Sequence, residues 1–134
     1  MADVEIEILA VLVATVAAMV IGFAWFSALS EQWIAAVGRT REDIAAGPQA
    51  PTYAITTLLQ IVTAVCLAVV VDWAQADTLV GGLLVGALAW LGFVATRKGI
   101  SALFEDRRRS LYVLDVGHDL LVLLAMGAIL ALWN

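Results

Sequence analysis

The sequence predicts an all-α integral membrane protein: a four-helix bundle running up-down-up-down as one domain over residues 1–134, with a short interfacial helical segment between spans 1 and 2. Three observations point there. The chain is 63% hydrophobic and 14% charged, against roughly 45–50% apolar and 25% charged for a soluble domain. A soluble chain of this size buries only about two-thirds of its surface, so the surplus apolar side chains need a solvent other than water. Four runs reach the ~20 apolar residues that cross ~30 Å of hydrocarbon, and none alternates as a barrel strand does.

Span 1 covers about residues 7–29. It follows MADVEIE, acidic where a secretory signal needs positive charge, and is expected to be retained. Ala10, Ala14, Ala18 and Gly22 fall four apart on one of its faces. Small faces let helix backbones approach closely in lipid, where packing drives association.

The polar stretch 30–51 is expected to lie along the membrane surface. Ser30 is placed to cap a short helix ended by Gly38, Thr40 with Asp43 resembles a capping box, and Gly47-Pro48 closes the second turn. Trp33 and Ile34 give its apolar side.

Span 2, about 52–73, has Pro51 as its first helical residue. Thr56, Gln60 and Thr63 stand at i, i+4 and i+7, so one polar stripe looks toward other helices and not toward lipid. Cys66 is the only cysteine, which excludes an internal disulfide and a cysteine-based metal cluster.

The connection AQADT is short enough to make spans 2 and 3 antiparallel neighbours, with Asp77 or Thr78 as N-cap. Span 3, about 78–101, carries Gly82 and Gly86 as a G-x-x-x-G pair extended by Ala89. That motif reads as a close helix contact, within the monomer or between copies. After the charged turn LFEDRRRS comes span 4, about 111–133.

Four spans put both termini and AQADT on one side. All seven basic residues, Arg39, Arg41, Arg97, Lys98, Arg107, Arg108 and Arg109, gather on the other. The positive-inside rule therefore predicts cytoplasmic basic loops and both termini outside, in a multi-pass protein of the cell membrane. Trp73 and Trp133 would anchor the outer interface, with Trp33, Tyr53 and Tyr112 at the inner one. The arginine cluster adjoins Glu105 and Asp106, and anionic lipid headgroups, not nucleic acid, are its expected partner.

Asp115, His118 and Asp119 share one face of span 4 at i, i+3 and i+4. Counting outwards from the span 3/4 turn brings Arg97 and Lys98 to their depth, just below the membrane boundary, with Arg97 as the favoured partner. Two readings follow: a salt-bridged clasp that fixes hairpin register, or a proton or ion relay with a small polar pocket. A metal site is not expected, because one helix supplies all three donors. The chain has no phosphate loop, nucleophile elbow or HExxH, and the sequence predicts a non-enzymatic protein without cofactors.

Several blocks, in order, resemble one prokaryotic membrane family. They are LAVLVATVAAMVIGFAWFS; Trp33 followed by Thr40, Glu42 and Asp43; GGLLVGALAWLGFVAT; and LFEDRRRSLYVLDVGHDLLVLLAMGAILALW. The family is the domain of unknown function numbered seventeen sixty-one. The resemblance implies a small four-span integral membrane protein and brings no activity with it. It also implies a Gly-Tyr-His-Leu motif where this chain has Gly117-His118-Asp119-Leu120, and small polar residues where it has Arg97-Lys98.

The expected function is association through the small-residue faces of spans 1 and 3, with itself as a homo-oligomer or with a larger membrane protein. The alternative is a small transporter or channel whose pathway uses Thr56, Gln60 and Thr63 with Asp115, His118, Asp119 and Arg97.

Overall fold

The computed structural model describes residues 6–38, 42, 50–106 and 108–133. In chain order these form α1 (Ile8–Ala28), α2 (Ser30–Val37), α3 (Ala50–Trp73), α4 (Leu79–Ala89), a π-helical turn (Trp90–Ala95), α5 (Thr96–Phe104) and α6 (Arg109–Trp133). No strand occurs among the described residues. Four continuous helices, Ile8–Ala28, Ala50–Trp73, Leu79–Phe104 and Arg109–Trp133, are long and apolar enough to cross a membrane. Spans 1 to 4 are thus α1, α3, the run α4–π–α5, and α6.

Each span is held in lipid by its own backbone hydrogen bonds, because hydrocarbon offers the amides no other partner. Hydroxyls inside the spans follow the same logic. Thr15 donates to Val11 O at 2.8 Å, Thr56 to Thr52 O at 2.7 Å, Thr57 to Tyr53 O at 2.8 Å and Thr63 to Leu59 O at 3.1 Å. Only 17% of the apolar window of span 3 is buried inside the protein, against 39% for span 4. The rest of each apolar surface faces outward, and span 4 is the central helix on which the others pack.

The ends of the elements follow local chemistry. Gly38 takes φ 77° and closes α2 as a left-handed C-cap, as expected. The first cap differs from expectation: Leu29, not Ser30, holds the N-cap position of α2, so α2 continues α1 after a single-residue break. Thr78 accepts from Gly81 N–H at 3.0 Å and caps α4. Gln75 adopts φ 54° in the turn before it, where Ala76 N–H bonds back to Val71 O at 3.1 Å. Thr40, Asp43, Gly47 and Pro48, with Arg39, Arg41 and Arg107, lie outside the described residues.

The small-residue faces are used inside the monomer. Ala10, Ala14 and Ala18 are 2%, 0% and 0% exposed, packed in the core that Met126 and Leu130 share. Gly82 lies against Gly127 O and Gly86 against Leu123 O, both on α6. Of the two contacts left open by the sequence for the G-x-x-x-G pair, the intramolecular one is formed. The Ala10 and Gly82 stripes are therefore not free faces, and any association has to use another surface.

Beside α3 the packing is incomplete. The helix packs on α1 and α6 and meets span 3 along α4, but among the described residues it makes no comparable packing with the π turn or α5. Its inward stripe is buried at Ala64, Leu67, Ala68 and Val71, whereas no residue from Ala50 to Thr63 is buried. Spans 2 and 3 are joined at the AQADT end and part toward the α2 end. The result is a seam with span 4 as its floor.

Candidate functional site

The charged cluster is assembled from α5 and α6. Lys98 Nζ donates to Asp119 Oδ2 at 2.5 Å, and His118 Nδ1 lies 3.2 Å from Asp119 Oδ1. The side chains are 42% exposed for Lys98, 22% for Asp119 and 14% for His118. One carboxylate thus takes a cation on one oxygen and an imidazole on the other, and the row runs inward from a partly exposed ammonium to a nearly enclosed ring. Asp115 is half-buried one turn earlier on the same helix.

Arg97, the partner favoured on sequence grounds, is exposed. The reason is the π turn. A straight α-helix advances about 100° per residue, so the inward stripe begun by Gly82 and Gly86 would continue through Ala89, Phe93 and Arg97. The wider π turn takes up one extra residue and moves everything after it round by one position. Phe93 is accordingly 78% exposed and Arg97 faces out, while Val94, Ala95 and Lys98 turn inward. Lys98, not Arg97, makes the ion pair with Asp119.

His118 has a second nitrogen with a different fate. Nε2 is buried and has no hydrogen-bond partner among the described residues. A Cβ placed on Gly22 of α1 would stand 3.2 Å from it, so a glycine is what lets the ring fit there. Phe26 covers the ring at a centroid distance of 5.0 Å and an interplanar angle of 42°, and itself meets Trp33 of α2 edge-on at 5.7 Å. Helix α2 is thereby in contact, through two aromatic rings, with the charged cluster.

Two tryptophans that sequence reasoning passed over fix the frame. Trp25 Nε1 donates to Leu114 O at 3.1 Å and Trp90 Nε1 to Val116 O at 2.7 Å. Helical carbonyls have a second lone pair and can accept these extra donors. Spans 1 and 3 are pinned this way to the same turn of span 4, immediately beside Asp115 and His118. Tyr112, expected as an interfacial anchor, donates to Ala95 O at 2.8 Å at the end of the π turn. The available signal was position: Trp25 and Trp90 stand inside spans, where an indole N–H has to find a partner.

The expected stripe on α3 is also placed by the structure. Thr56, Gln60 and Thr63 are half-buried, in line with the stripe of α3 that Ala64 and Leu67 turn inward. Their hydroxyls are satisfied on their own helix, as above, whereas the Gln60 carboxamide has no partner among the described residues. No group of three or more metal-binding side chains gathers among the described residues.

Residues 9–131 match the family described as Protein of unknown function (DUF1761). The chain belongs to this family. The match spans all four membrane helices and both halves of the charged cluster, so the DUF1761 fold in this chain includes Lys98, His118 and Asp119 within its matched core. No curated protein and no solved structure matches the chain. The family's description carries no activity.

Proposed function

We propose that this DUF1761 protein is a non-enzymatic multi-pass membrane protein that works as an assembly, in which a helix of a second copy or of a larger membrane partner enters the seam between spans 2 and 3. The observation that carries the proposal is the parting of α3 from the π turn and α5, beside a stripe whose middle residue, Gln60, has an amide without a partner among the described residues. In hydrocarbon such an amide is stabilised by hydrogen bonding across helices. The surface used is the seam, because the alanine and glycine faces are already occupied within the chain. The seam opens toward the basic loops, which the positive-inside rule assigns to the cytoplasm, with both termini outside.

Mass measurement of the purified protein in detergent, and again in lipid nanodiscs, tests this reading. A mass above that of one chain is expected, from self-association or a copurifying membrane protein. A strict monomer without a partner in both media sinks it.

A second reading is favoured by the Lys98–Asp119–His118 row, whose inner end is the unpartnered Nε2. Ionisable groups inside spans mark ion and proton paths in many transporters. On that reading the seam is a water-filled vestibule. Proteoliposomes carrying Asp119→Asn would then lose a proton or cation flux that the unaltered protein supports, and equal flux in the two removes the pathway.

A further inference from the structure

Resting on the assembly reading, we infer that the partner in the seam is a second copy of this chain, and that the two copies meet through Gln60. The depth of the residue is the first reason. Gln60 stands about 15 Å along α3 from Ala50 and about 20 Å from Trp73, at 1.5 Å per residue, which puts it near the middle of the hydrocarbon. Gln60 is in line with Ala64 and Leu67 on the stripe of α3 that turns inward, where this chain offers its amide no partner among the described residues, so at that depth the amide is satisfied only by a helix that enters the seam.

Symmetry is the second reason. Two copies inserted with the same topology pair in a closed way only about an axis along the membrane normal. Such an axis brings every residue beside its own counterpart at the same depth. At the level of Gln60 the group required is therefore one that can bond to itself. A carboxamide offers an oxygen acceptor and N–H donors, and two of them form a reciprocal pair. A carboxylate or an ammonium in this position would repel its copy.

The flanking sequence agrees. Between Ala50 and Val71, α3 carries no charged residue, so two α3 helices approach without like-charge repulsion. Thr56 and Thr63, one turn to either side, are short and already bonded to their own backbone. They leave room for close approach and compete for nothing. Each α3 would then fill the seam of the other copy, covering Tyr53, which is 58% exposed, and the half-buried Thr56 and Gln60. The dimer so formed places Gln60 of the second copy beside the seam whose floor is span 4.

The test is positional cross-linking in native membranes, with Cys66→Ser as background. Thr56→Cys and Gln60→Cys, on the stripe, are expected to form disulfide-linked dimers on oxidation. Val62→Cys lies about 160° round the helix from Gln60 and is expected to stay monomeric. In lipid, Gln60→Leu is expected to weaken dimerisation by about tenfold, the change that follows from losing both weak interhelical hydrogen bonds of the reciprocal pair. Gln60→Asn keeps the amide and is expected to retain part of the affinity.

Efficient linking at Val62, or a Gln60→Leu protein that dimerises as the parent does, overturns the Gln60 contact while leaving assembly intact. A parent protein that is monomeric and partnerless removes the assembly reading, and this inference with it.

Discussion

Gly82→Ala is expected to destabilise the bundle by about 1–2 kcal/mol, although alanine is the better helix former. A Cβ on Gly82 would stand 2.7 Å from Ala131 Cβ and 2.9 Å from Gly127 C, and it falls closer still to Gly127 O. Ordinary contact begins at 3.4 Å, so α4 and α6 must part by more than about 0.7 Å along this face, the carbonyl oxygen being nearer than the methyl group. The obstructing atoms are backbone and a methyl group, none of which can rotate away. A gap of that size forfeits roughly a quarter to a half of the dispersion well for each pair it separates, and overpacking of this kind typically costs about 1–3 kcal/mol. The helix propensity of alanine returns up to about 1 kcal/mol. Gly92→Ala is the internal control: it lies in the same span, nothing stands within 4 Å of its Cβ position, and its effect should be zero or slightly stabilising. Unfolding in mixed micelles of increasing SDS fraction, followed by circular dichroism, reads both. If Gly82→Ala resists SDS as well as Gly92→Ala does, the α4–α6 contact is not as close as the structure has it.

Two further predictions concern the clasp and the topology. Lys98→Met should destabilise the protein by about 1–3 kcal/mol by leaving the Asp119 carboxylate with only His118. Arg97→Ala should stay within about 0.5 kcal/mol of the parent, and the same SDS titration showing the reverse order would return the clasp to Arg97. For orientation, cysteines placed at Ile6 and at Glu31 in the Cys66→Ser background should differ toward a membrane-impermeant maleimide added to intact cells. Ile6→Cys should react and Glu31→Cys should not, and labelling at Glu31 alone would invert the assignment of sides.

Much of the fold was legible because lipid makes hydropathy decisive. The predicted spans 7–29, 52–73, 78–101 and 111–133 agree with the helices Ile8–Ala28, Ala50–Trp73, Leu79–Phe104 and Arg109–Trp133 to within three residues at every end. Gly38 and Thr78 were legible as punctuation, because a left-handed C-cap and an oxygen acceptor before a helix are local needs that few residues meet. The G-x-x-x-G pair was legible as a close contact but not as an internal one. Its sequence says how near another backbone can come, and the choice of backbone depends on Gly127, 45 residues after Gly82.

The candidate site was half legible, and the missing half traces to a single turn. Depth along a span is additive at 1.5 Å per residue, so counting from the span 3/4 turn correctly brought the cations 97–98 level with 118–119. Direction is additive only while the helix keeps 3.6 residues per turn. WLGFVA carries no proline and no charge to announce a π turn, yet that turn decides which of two adjacent cations faces the carboxylate. The stabilising features are tertiary: Trp90 at its start bonds to Val116 O on span 4, and Ala95 at its end accepts from Tyr112. Both partners lie on a helix that follows in the chain, so no reading of span 3 in isolation finds them. The widened turn costs helix geometry locally and is offset by two hydrogen bonds to span 4. With those bonds in place, the inward position is given to an ammonium on a flexible stem, and the bulkier guanidinium of Arg97 is left exposed.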